Sequence, residues 1–378
     1  MDLDLTEEQL LLRDEALRLL GDRAGSAQMR RAAEEREGFD PELWSIVADE
    51  LGWCGLAIPP ENGGLGMGAM ETTLLLEACG RHLACIPLWS TICLAAPLIG
   101  ALGKHQVRND LLSRIATGQL RITVAYPALS KRNPIEPPFV TAVPVAGGYR
   151  LSGDTQHVPD LAAADMVIVP ACLPDGTIGL FALSAGTDYR VKTLETIDPT
   201  RPMARLGLED VTVPEAERID RDGLRAADFT DPILRARIGL AAEQVGAAQG
   251  CFDLTLSYIG ERVQFGRTIA SFQAIKHRCA MLAVDISEAR SLLRGAAALL
   301  DAGEPDISAD IDALGFLASK TLFDAAEESI QMHGGVGMTW EYDPHYFFRR
   351  AQASGIIFGS QDERLDAIAD FIFEGTAS

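Results

Sequence analysis

Positive charge is what this sequence most lacks: 33 lysines and arginines stand against 54 aspartates and glutamates, a formal net charge of −21 over 378 residues. Such a balance repels phosphate backbones and anionic headgroups alike, so neither nucleic acid nor a membrane surface is expected as a partner. Metal-ligand spacing is also missing. The six histidines (His82, His105, His157, His277, His333 and His345) form no HExxH and no paired spacing, so no metal site is expected. There is no GxSxG elbow, no GK[ST] phosphate loop and no strand leading into GxGxxG, which sets aside acyl-serine and Rossmann-type chemistry. The seven cysteines are scattered without a CxxC pair, the pattern of reduced thiols in a cytoplasmic protein. The opening MDLDLTEEQ has neither the basic nor the apolar region of a signal peptide. One uncharged run, 83–103, is long enough to cross a bilayer. Pro87 and Pro97 break it and it carries Ser90 and Thr91, so two buried helices are expected there instead.

What is present is material for two or three domains, with 47% hydrophobic and 23% charged residues, as in ordinary globular proteins. Thr6 followed by Gln9 makes a capping box before an apolar helical run, and further helices are expected over 41–51, 70–81 and 104–118. Near Leu120 the period changes to alternation. RITVAYPAL, FVTAVPVAGGYRLSG, ADMVIVPACLPDGTIGLFALSA and YRVKTLETI read as strands separated by AGG and PDG turns, with no helix long enough between them for a parallel sheet. Long helices return with Asp231 as cap and Pro232 at the first turn, then from about Ser271, Ile307 and Asp362. The expected order is a helical domain over 1–120, a compact antiparallel β-domain over 121–228 and a helical bundle over 229–378.

Three segments carry chemistry. On the helix from Ile233 to Ile259, one stripe (Ile238, Ala241, Val245, Ala248, Phe252) is core at helical spacing. Another line holds Gly239, Glu243, Gly246 and Gly250, a single carboxylate among positions without side chains. Each glycine costs a helix about 1 kcal/mol relative to alanine, so something approaches this face closely. A planar ligand or a neighbouring helix would both meet that demand. In the first case Glu243 would be a confined carboxylate suited to proton abstraction; in the second it would be solvated or ion-paired. The segment RVQFGRTIASFQ (Arg262 to Gln273) combines guanidinium groups that suit a pyrophosphate with amides that suit a heterocycle edge or ribose. QMHGGVG (Gln331 to Gly337) puts glycines after a helix, where backbone can approach an anion or sugar. A basic helix junction and a helix-ending glycine turn would look the same.

Taken in order, these segments resemble the acyl-CoA dehydrogenase family along nearly the whole chain. LTEEQLLLRD is similar to the family's opening helix, GLAIPPENGGLGMGAMETTLLLEACGR to its PxxxGGxG loop and following helix, and DPTRPMARLGLEDVTVP to the end of its β-domain. RVQFGRTIASFQAIKH and QMHGGVGMTWEY are the most specific matches. The resemblance implies an α+β multidomain fold: a helical N-terminal domain, a central antiparallel β-barrel and a C-terminal four-helix bundle, assembled as dimers or tetramers. It implies FAD between the β-domain and the bundle, with Arg262, Phe265 and Gln273 on its pyrophosphate and adenine half. Gln331, Gly334 and Gly335 would complete that contact across a subunit boundary. It further implies α,β-desaturation of an acyl-CoA thioester, a carboxylate base removing the α proton, and an electron-transferring flavoprotein as acceptor.

Two departures from the family pattern stand out. The glutamate of the YEGT-like motif is replaced by Phe358 within Ile357-Phe358-Gly359-Ser360, and the alternative position one residue before Arg237 is Ala236. Glu243, two turns further on nearly the same face, is the remaining candidate base, in an Ala241-Ala242-Glu243 context like that of steroid side-chain members. Arg237, Gly239 and Gly246 would then border the substrate, and the glycines would leave room for a bulky acyl group such as a steroid side chain. The second departure concerns the flavin-holding strands. Ala125-Tyr126-Pro127-Ala128-Leu129-Ser130 and His157-Val158-Pro159-Asp160 replace the TEPxAGSD-like and W-I-[ST] segments, which removes the usual hydroxyl donor to the flavin. A homotetramer, or a heterotetramer in which this chain is a non-catalytic, cofactor-completing subunit, are the two assemblies this leaves open.

Overall fold

The computed structural model describes residues 4–136 and 140–375. Six helices come first: α1 (Glu7–Arg23), α2 (Ser26–Glu35), α3 (Pro41–Ser45), α4 (Ala69–Arg81), α5 (Ala96–Leu102) and α6 (His105–Ala116). The Thr6 and Gln9 side chains cap α1 reciprocally, as the sequence implies. The segment expected as one helix over 41–51 changes winding after Ser45, with a wider turn over Ile46–Glu50. The uncharged run is buried inside the N-terminal helices, and no described helix is long and apolar enough to cross a membrane.

The central strands are β1 (Ile122–Val124), β2 (Thr141–Val145), β3 (Gly148–Pro159), β4 (Met166–Cys172), β5 (Ile178–Ser184), β6 (Arg190–Thr193) and β7 (Met203–Pro214). Phe139, which the sequence pattern attaches to the second strand, lies outside the described residues. The sheet corrects the expected antiparallel barrel in two respects. Its order is β1-β4-β2-β3-β7-β6 with β5 on β4, and among the described residues no strand pair closes it into a barrel. It is also mixed, because β1 runs parallel to β4 and β2 meets the far end of β4 in parallel. The sequence hid this because β1 has three residues, and its parallel partner is reached through irregular chain and a β-hairpin rather than a helix. The chain after β7 runs back along β5 through bridges at Leu224 and Arg218.

Five helices make the last third: α7 (Thr230–Glu261), α8 (Gln273–Asp301), α9 (Ser308–His333), α10 (Pro344–Ser354) and α11 (Gln361–Gly375). A small hairpin of β8 (Val263–Gln264) and β9 (Arg267–Thr268) joins α7 to α8. Instead of four helices, three long ones are followed by two shorter ones that pack on α9. Helix α7 begins at Thr230, directly after a tight turn over Ala226–Phe229, so Asp231 lies inside it and pairs with Arg235 at 3.0 Å.

The closest approach in the molecule is between α4 and α7, and it explains the glycine line. A Cβ on Gly246 would lie 1.8 Å from the Glu77 carbonyl oxygen, and one on Gly250 would lie 2.1 Å from that of Arg81. In return, a Cβ on Gly80 of α4 would lie 2.0 Å from the Glu243 carbonyl oxygen. Backbone packs on backbone here, which only glycine permits. Asp301 at the end of α8 fixes the start of α4 by accepting the Ala69 amide at 2.6 Å and the Met70 amide at 3.0 Å.

Candidate active site

Where α7 passes between the N-terminal helices and the sheet, it carries Glu243 into a buried polar cluster. Glu243 and Arg201 are each only 7% exposed and form a direct ion pair. Arg201 sits in the turn before β7, and its guanidinium lies 4.8 Å from the centre of the Trp89 ring. Trp89 donates its indole N–H to the Ala236 carbonyl at 3.0 Å and meets Phe358 edge-on at 6.3 Å, both rings being fully enclosed. A second buried pair stands beside the first. Arg350 of α10 donates to Asp198 at 2.5 Å and to Thr200 at 2.5 Å. Asp198 also accepts the Thr200 amide at 2.9 Å, so the turn carrying Arg201 is locked on both sides.

Asp160 completes the cluster. It accepts from Ser90 at 2.7 Å, and its carboxyl is pushed up to about 6 by burial, against the opposing pull of Arg201 and the Ser90 bond. Two guanidinium groups thus face three carboxyl groups in one enclosed region.

Beside this cluster a cavity of about 400 Å³ opens between the sheet and the C-terminal helices. Leu129, Ser130, His157 and Arg201 line it from the β side, and Ser354 and Ile357 from the helical side. His157 adopts a left-handed backbone (φ 56°) where the β3–β7 register slips, which turns that strand end toward the opening. Phe358 is likewise left-handed (φ 59°), and its amide donates to the Leu129 carbonyl at 2.8 Å, tying the two walls together. Arg201 Nη1 is buried and has no hydrogen-bond partner among the described residues.

The residues named from the sequence fall into three groups. Glu243 stands at the cluster. The three expected to border substrate are taken up elsewhere, which corrects that reading. Arg237 is buried in an ion pair with Asp312, which also holds Arg132 at 2.7 Å, and this joins α7 to α9. Gly246 is pressed against the α4 backbone, and a Cβ on Gly239 would meet Cys93 Sγ at 2.6 Å. The room expected from these glycines is therefore filled by protein. The third group lies at the far end of α7 and is open to solvent: Arg262, Phe265, Gln273, Gln331, Gly334 and Gly335 are all exposed, Phe265 to 92%. Tyr258 stacks on His333 at 4.1 Å and so brings the ends of α7 and α9, hence these two segments, to one end of the helical domain.

Residues 6–119 match the N-terminal domain of acyl-CoA dehydrogenases, and residues 222–373 match the C-terminal domain of the same enzymes. The chain is 33% identical over 369 residues to acyl-CoA dehydrogenase IpdE2 of Mycobacterium tuberculosis, covering 97% of this chain and 98% of that one. It belongs to the acyl-CoA dehydrogenase family. Among solved structures, the ChsE4-ChsE5 complex from Mycobacterium tuberculosis superposes with a TM-score of 0.87 at 26% identity, over 99% of both chains. The FAD complex of PigA superposes with a TM-score of 0.88 at 25% identity, over 98% of this chain and 99% of that one. The chain is thus a family enzyme, and FAD is the family's cofactor.

Sequence reading missed Arg201, Asp198, Arg350 and Trp89 as members of the cluster. DPTRP was visible only as the end of a domain; an arginine between two prolines in an otherwise weakly charged stretch was the one available sign.

Proposed function

We propose that the protein works as an FAD-dependent acyl-CoA dehydrogenase that desaturates an acyl-CoA thioester between Cα and Cβ, with Glu243 accepting the α proton. The observation that carries this reading is a buried carboxylate on α7, held by an arginine that also lines the cavity between sheet and helices. Residues of suitable chemistry for FAD are present: exposed Arg262, Phe265 and Gln273 for the pyrophosphate and adenine half, with Gln331, Gly334 and Gly335 supplied to a neighbouring subunit. The orphaned Arg201 donor in the cavity wall fits a ligand with oxygen acceptors. When bound, FAD supplies hydride acceptance. This chain's own groups enclose the site, keep water from it and hold the carboxylate of Glu243 in one place through Arg201. An electron-transferring flavoprotein is the proposed acceptor, and a tetramer the proposed assembly. A steroid-derived acyl group is the proposed substrate class, supported by the kinship to IpdE2 and the ChsE4-ChsE5 complex rather than by any glycine-made space.

A second reading is favoured by one observation. The Glu243 carboxylate is already occupied by Arg201, and Trp89 and Phe358 fill the region beside it, as a cofactor-completing subunit of a heterotetramer would tolerate. The test is the full chain purified alone and co-produced with a related family subunit, examined by absorption spectrum, native mass and bleaching with acyl-CoA. The first reading expects a yellow protein bleached by substrate and a Glu243→Gln variant that stays yellow but no longer bleaches. A colourless chain that gains flavin only with its partner, in a complex whose turnover survives Glu243→Gln, refutes it in favour of the second.

A further inference from the structure

Arg201 has two nitrogens with different fates. Nη2 is committed to Glu243, while Nη1 is enclosed without a partner, on a residue more than nine-tenths buried that forms part of the cavity wall. An enclosed guanidinium N–H left unbonded forfeits roughly 1–3 kcal/mol or more, so such donors are nearly always matched to something. Trp89 covers the guanidinium face and Glu243 covers one edge, which leaves the Nη1 side for a group entering the cavity.

The charge around it limits what that group is. Arg201 and Arg350 are already faced by Glu243, Asp198 and Asp160, so the enclosure holds no surplus of positive charge for an incoming anion. A neutral oxygen acceptor avoids that cost. The remaining lining is largely apolar, with Leu129, Leu194, Ile197, Met203, Ile356 and Ile357 facing the same space.

We propose that Arg201 is a positioning residue whose Nη1 donates to a neutral carbonyl oxygen of the ligand in this cavity, while its Nη2 holds Glu243. The inference rests on the reading above that the cavity serves FAD or an acyl-CoA, and both carry such carbonyls: the flavin ring in one case, the thioester in the other. One guanidinium then links the ligand to the carboxylate, so that the carbonyl and Glu243 are set in register by a single rigid plane.

The test compares ligands with and without the carbonyl. Binding to the full-length chain is measured by calorimetry for FAD against ADP, and for butyryl-CoA against its thioether analogue S-butyl-CoA. The variants are Arg201→Lys, which keeps the charge opposite Glu243 but loses the paired nitrogens, and the neutral double variant Arg201→Gln/Glu243→Gln in case the first does not fold. A carbonyl ligand should bind roughly 10- to 100-fold more weakly to the variants, with its carbonyl-free counterpart unchanged. Loss confined to FAD assigns the contact to the flavin ring, and loss confined to butyryl-CoA assigns it to the thioester. Unchanged affinities, equal losses within each pair, or a wild-type chain that binds none of the four overturns the inference. Desaturation is not the readout, so a chain that distinguishes thioester from thioether yet never turns over refutes the functional reading and leaves this one standing.

Discussion

Gly246→Ala tests the packing account of the glycine line. The added methyl would sit 1.8 Å from the Glu77 carbonyl oxygen and 2.7 Å from its carbon, atoms of a helix backbone that cannot rotate aside. Relief requires α4 and α7 to separate by more than an ångström along a contact that also includes Gly80 and Gly250. Overpacking of this kind costs about 1–3 kcal/mol, and a backbone clash belongs at the upper end. Alanine returns about 1 kcal/mol through its higher helix propensity, so the net loss is about 2 kcal/mol. Gly295 in α8 is the control, because a Cβ there meets nothing within 4 Å. Gly295→Ala should raise stability by up to about 1 kcal/mol. The assay is a pair of urea titrations followed by far-ultraviolet circular dichroism, reading the midpoints against wild type. Were the two variants to move the midpoint in the same direction, the helix contact would not be the reason for the glycine, and the ligand alternative for that face would return.

Three further outcomes are expected. Asp160 has its carboxyl raised to about 6 by burial, so it binds its proton more tightly folded than unfolded; its stabilisation is full below about pH 4 and is lost as pH rises through about 6. Asp160→Asn, which keeps an acceptor for Ser90, should therefore flatten the fall in stability between pH 4 and pH 7, measured by melting temperature in matched buffers; an unchanged slope refutes the assignment. Arg350→Met should cost about 3–5 kcal/mol in urea unfolding, because it leaves Asp198 buried and unpaired. Cys54, whose thiol burial pushes up to about 12, and the buried Cys79, Cys85, Cys93 and Cys251 should not react with Ellman's reagent in the native state. Only Cys172 and Cys279 are reachable, and labelling beyond these two counts against the burial described.

Local patterns in the chain settled its elements. The capping box at Thr6 and Gln9, the proline breaks at 87 and 97, and the change from helical to alternating period near Leu120 all act over a few residues, and each produced the structure it implied. The same holds for the lone carboxylate among glycines, which singled out Glu243 before any contact was known. Tertiary structure decided what those residues face. Whether a glycine line meets a ligand or a helix depends on what arrives from 160 or more residues away, and here Glu77 and Arg81 arrived. The pairing of Glu243 with Arg201 and of Arg350 with Asp198 joins chain segments 42 and 152 residues apart, as does the parallel seating of β1 on β4 over a shorter span. No periodicity encodes such distances, because a charge pair is specified by the fold that brings its halves together and not by the sequence around either half.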